Sequence, residues 1–172
     1  MLANLSELHR AIVAGLRHGL PQVPYVDTYP VVESRIRLPA ILVELSEMEP
    51  GHDPSTGETA LVVRMQARVV IDPNLADADM LVRELAARVA IIVNHQCWQL
   101  PIGMSELVQI GEDAFKPELD GYLVRLVEWQ QEIHLGELDE MQMPDGATSI
   151  VVTVAPGPGA QESIDTGANH EL

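Results

Sequence analysis

Six histidines, His9, His18, His52, His95, His134 and His170, offer the widest range of side-chain chemistry, yet their spacing builds no metal site. None stands four residues from another on a helix, and no His-Glu-x-x-His occurs. His95-Gln96-Cys97 supplies half a metal site at most. His95 reads as a polar residue at a helix C-terminus, and Cys97, beside Trp98, as a small buried hydrophobe. Asp72, Asp77, Asp79, Glu112 and Asp113 have the chemistry for acid–base work, but caps and turns account for each more simply. Gly51 and Gly57 lie in a segment without Gly-Lys-Ser/Thr. Pro156 to Gly159 precedes no helical pattern that would aim amides at a phosphate. The expectation is a protein that is not an enzyme and has no catalytic, cofactor-binding or metal-binding set.

Arg64, Gln66 and Arg68 form the one polar constellation that stands out. Alternation along a strand places all three on one face. A solvated sheet face would explain them, but cations are scarce: 10 Lys and Arg against 26 Asp and Glu, with Lys116 the single lysine and a net charge of −16. In such a chain the three residues are candidates for a subunit interface, where the arginines would meet carboxylates of a neighbouring subunit. The acidity argues against a dedicated binder of nucleic acid or anionic membrane. It is compatible with a protein lining a channel through which nucleic acid slides. One cysteine precludes an internal disulfide framework. The stretch from Met1 to Gly19 lacks a signal-peptide pattern, and no apolar run approaches membrane-spanning length. A soluble protein of a reducing cytoplasm is expected.

The elements that must position these residues follow from periodicity. Asn4 and Glu7 have capping-box spacing, and Leu5, Leu8, Ile12 and Leu16 share a helical face that stops at Gly19 and Pro21. Val23 to Val32 is extended but broken by Pro24 and Pro30, which suits an edge strand or an arm. Ala40 to Leu45 reads as a strand, and Met48 to Glu58 as a loop. In the next strand Leu61, Val63, Met65, Ala67, Val69 and Ile71 oppose Arg64, Gln66 and Arg68. Val82, Leu85, Ala86, Val89, Ile92 and Val93 stripe a second helix. Strands follow near Glu106–Ile110 and Tyr122–Leu135. The apolar set of the last strand changes phase, which predicts a bulge near Leu126 or Val127. Residues 136–172 carry seven acids and no Lys or Arg. They read as an acidic extension, with a short strand over 149–154 and a flexible tail beyond. The order predicts an α+β fold: a mixed, mainly antiparallel sheet with two helices on one face over 1–137, then the extension over 138–172.

Four stretches together carry a resemblance: Leu38 to Leu45, Arg68-Val69-Val70-Ile71-Asp72, the Leu81 to Asn94 helix ending near Trp98, and Leu123 to Leu135 with its Val-Glu-Trp-Gln core. Over residues 1–137 the chain is similar to the tail terminator, or tail completion, proteins of long-tailed bacteriophages and prophages. The similarity lies in element order and pattern. It implies a mixed sheet flanked by helices and a homohexameric ring at the head-proximal end of the virion tail, assembled in the host cytoplasm. Such a ring stops tube polymerisation and faces the head–tail connector. The implied partners are further copies, the tail tube protein and the connector, with DNA only passing through the lumen and no membrane. The family has no catalytic residues to carry over, and the acidic extension has no counterpart in it. A head-completion, neck or other minor tail protein is the nearest alternative. A small cytosolic enzyme or a ligand-binding module is the alternative of a different class.

Overall fold

The computed structural model describes residues 2–29, 36–113, 119 and 121–136. Val31, Val32, the strand expected over 149–154 and the acidic extension lie outside the described residues.

Helix α1 spans Leu5–Gly19 and begins where Asn4 accepts the Glu7 amide. The Glu7 carboxylate reaches back to the Ala3 amide, one residue outside the standard capping box. Leu8, Ile12, Val13 and Leu16 are buried. Strand β1, Tyr25–Thr28, then runs parallel to β2, Ala40–Pro50. β2 turns back into β3, Thr59–Ile71, antiparallel. Helix α2, Ala78–Val93, leads to β4, Glu106–Glu112, and β5, Leu123–Leu135. The five-stranded sheet has the order β1-β2-β3-β5-β4 with a single parallel pair at one edge. The fold is α+β.

Both helices bury their stripes in one cluster with Ile41, Val43, Val63, Met65, Ala67, Val69, Val127, Trp129 and Ile133. The two helices therefore share one sheet face, as the alternation in β3 predicts. The opposite face holds a smaller cluster of Tyr29, Ala40, Leu42, Val70 and Leu119, with Val124 packed against it.

Three strand details depart from the sequence reading. β2 continues to Pro50, so Met48 to Pro50 belong to a strand and the expected loop is confined to residues 51–58. β3 and β5 pair through thirteen positions with no register shift, so the expected bulge in β5 is absent. Its apolar phase changes because the two faces are buried in different halves. Val124 packs against the small cluster and Leu126 is buried on the same face, while Val127, Trp129 and Ile133 serve the main core. The bulges sit instead between Leu45 and Glu47 in β2 and between Leu107 and Gln109 in β4.

Candidate functional site

Register assembles the polar residues of the open sheet face into rows across the three central strands. Ala40, Val70 and Val124 make an apolar row. Leu42, Arg68 and Leu126 come next, then Glu44, Gln66 and Glu128. The last row is Glu47, Arg64 and Gln130. Without the extra residue at Ser46, strict alternation would turn Glu47 toward the helices. The bulge turns it to the open face, opposite Arg64. The Ser46 hydroxyl donates to the Arg64 carbonyl at 3.1 Å and pins the irregularity.

The two arginines occupy different environments. Arg68 has a side chain only 3% exposed, and its carboxylate partners come from its own chain. Its Nη1 donates to Glu44 at 2.6 Å, its Nε to Asp113, and its Nη2 to the Gln66 side-chain oxygen at 2.8 Å. The guanidinium carbon lies 4.9 Å from the centre of the Tyr29 ring, a cation–π distance. Arg68 thus meets intramolecular acids where the sequence reading placed acids of a neighbouring subunit. Burial of the charge is sustained because four groups surround it. Arg64, with a side chain 36% exposed, sits 3.6 Å from both Glu47 and Glu128. Gln66 joins the two halves, its amide donating to Glu128 at 2.6 Å.

Alternation alone correctly put Arg64, Gln66 and Arg68 on one face. It missed Tyr29, Glu44, Glu47, Asp113 and Glu128. A signal was available for two of them: Glu44 and Glu128 are carboxylates inside apolar strand runs, where an unpaired charge is costly. Asp113 read as a turn residue, and only the path of the chain after β4 brings it to Arg68. Glu112 ends β4 and pairs with Arg125 at 3.0 Å.

A second polar knot ties the loop after α2 to the sheet. Gln131, 1% exposed, accepts from the Trp98 indole at 3.0 Å. Its amide donates to the Gln96 and Gly103 carbonyls at 2.8 and 2.7 Å. Ser105 is fully buried, donating to the Val93 carbonyl and accepting the Gln96 amide. His95, Trp98 and Gln99 adopt left-handed backbone, with φ of 59°, 57° and 59°. The Trp98 ring rests on Gly15, where a Cβ would approach to 2.7 Å. Gly15, Gly19, Ile92, Trp98 and their neighbours line an open groove of about 510 Å³. Cys97 is half-buried, not buried as expected. Among the described residues no three His, Cys, Asp or Glu side chains group to hold a metal.

Two titrating groups are shifted. Burial lowers the pKa of half-buried His9, with hydrogen bonding to the Val43 backbone and the charge of Asp27 opposing it. Asp72 is lowered by the Asn74 backbone amide and then by the Asn74 side chain. That is the turn role predicted for it. Asp77 stands at the N-cap of α2, in left-handed backbone, without a side-chain capping bond.

No helix of the described residues is long and apolar enough to cross a membrane. No family model matches the chain, and no curated protein matches it.

Proposed function

We propose that this chain is a structural assembly protein of a long-tailed phage or prophage. In this reading it is a tail terminator that caps the tail tube as a homo-oligomeric ring, most simply a hexamer. The ring stops tube polymerisation and offers its other surface to the head–tail connector, at the head-proximal end of the tail.

The observation that carries the reading is the band of charge across the sheet face opposite α1 and α2. From the buried Arg68 knot the rows open to Glu47 and Arg64 and continue along the exposed end of β2. A charged sheet face that reaches solvent at Arg64, Glu47 and the exposed end of β2 suits docking onto another protein surface better than enclosing a substrate. The net charge of −16 would also keep DNA sliding through a lumen without adhesion. Arg64, whose side chain is 36% exposed, is accessible to such a subunit contact.

Sedimentation or native mass measurement at high concentration, alone and with tail tube protein, tests the proposal. A ring in either condition is expected. A monomer in both overturns it. A second reading, a ligand-binding module, is favoured by the groove beside Trp98, and a bound small molecule there would support it.

A further inference from the structure

We propose that the outer edge of β4 receives an extended, cationic segment of a partner protein, which adds to the sheet as a further strand. The sheet has two edges, and they are finished differently. At β1 the Tyr29 amide bonds inward to the Val43 carbonyl, so Val26 and Thr28 direct their backbone groups away from β2. Two of those groups, the Val26 carbonyl and the Thr28 amide, are already occupied. Arg17 donates to the Val26 carbonyl from Nε and Nη2 at 2.9 and 2.7 Å. Asp27 accepts the Thr28 amide at 2.8 Å and lies 3.6 Å from Arg17. A short edge blocked by charged side chains is a standard defence against strand addition.

Among the described residues β4 lacks that defence. Its sequence, Glu-Leu-Val-Gln-Ile-Gly-Glu, contains no Lys and no Pro. Among the described residues one side chain reaches its backbone, Asn94, which accepts the Leu107 amide at 3.4 Å. Past the bulge at Val108 the strand is regular from Gln109 to Glu112. Val108 is 44% and Ile110 48% exposed, and Leu107 and Met104 are exposed as well. An added strand would bury these apolar groups while pairing the open backbone.

Charge selects the occupant. Glu106 stands at one end of β4 with no cation paired to it among the described residues, while Glu112 at the other end is paired with Arg125. A second copy would bring a further charge of −16, whereas a Lys- or Arg-bearing strand brings the complement. The inference is independent of ring formation, which can close through other surfaces.

The test uses the full chain, ¹⁵N-labelled. It is titrated with a synthetic peptide pool in which Val or Ile alternates with Lys or Arg. A matched pool carries Glu in place of the cations. Amide hydrogen exchange across residues 106–112 should slow about tenfold or more with the cationic pool, with at least about tenfold weaker binding by the acidic one. Ile110→Lys and, separately, Val108→Lys should retain the parent melting temperature and weaken binding of the cationic pool about tenfold. The inference is overturned by unchanged exchange at 106–112, or by equal binding of the two pools. It is also overturned by protection that grows with protein concentration alone, which would make a second copy the occupant.

Discussion

The two faces of the sheet use the same three strands and hold together by different physics. On the helix side, Val63, Met65, Ala67 and Val69 of β3 meet Val127, Trp129 and Ile133 of β5 under α1 and α2. Its stability comes from removing apolar area from water, on the order of 1.5–3 kcal/mol per fully buried side chain. That contribution does not depend on charge or salt. On the open side, the adjacent positions of β3 are Arg64, Gln66 and Arg68, and their neighbours are carboxylates. Burial there is bearable only while each charge keeps its partners. The helix side is sensitive to lost volume, whereas on the open side the buried Arg68 is sensitive to a missing partner and the partly exposed Arg64 is not.

The sharpest way to break the comparison is Arg68→Gln. It removes the buried charge that Glu44 and Asp113 share and should cost about 3–5 kcal/mol, the penalty for breaking a buried ion pair. Equilibrium urea denaturation reads this directly, and a loss of less than 1 kcal/mol, by that same standard, would show that water reaches the cluster. Met65→Ala, one pleat away on the helix side, should cost about 2–5 kcal/mol. Its cost should be the same in low and high salt, whereas any contribution from Arg64 should shrink with salt. Arg64→Gln should cost no more than about 1 kcal/mol, because the side chain is partly in water and Gln66 still donates to Glu128. If Arg64→Gln leaves the monomer folded but weakens ring formation, Arg64 lies at the subunit contact. Unchanged assembly would remove it from that role.

The smallest expected effect is a pH slope. Burial holds the folded pKa of His9 below its ordinary value of 6.5. The unfolded chain therefore binds the extra proton first as pH falls. The stability contribution is fully present above 6.5 and declines as pH drops through that value. His9→Gln should flatten this part of the stability–pH curve relative to the parent. Identical slopes in the two proteins would show that His9 is solvated in the folded state.

Much of the architecture is legible locally. Asn4 and the four-residue apolar repeat specify α1, and the alternation from Leu61 to Ile71 specifies which face of β3 meets the helices. The two prolines around β1 mark an edge. These features depend on neighbours within one or two turns of chain, where backbone sterics and burial of one face act directly. The resemblance to tail terminators likewise rests on element order, and it supplies the proposed ring.

Other features were decided only when the strands met. Arg64 and Arg68 look equivalent along the sequence, yet Arg68 is enclosed because Tyr29, Glu44 and Asp113 converge on it from three separate segments. The phase change in β5 looks like a bulge in one strand. In the sheet it records two faces buried in succession. The bulges that do form, at Ser46 and Val108, depend on register with β3 and β5, which no local pattern reveals. A strand's sequence declares which of its faces is apolar, while the residues opposite it, and hence the partners of its charges, are set by long-range pairing.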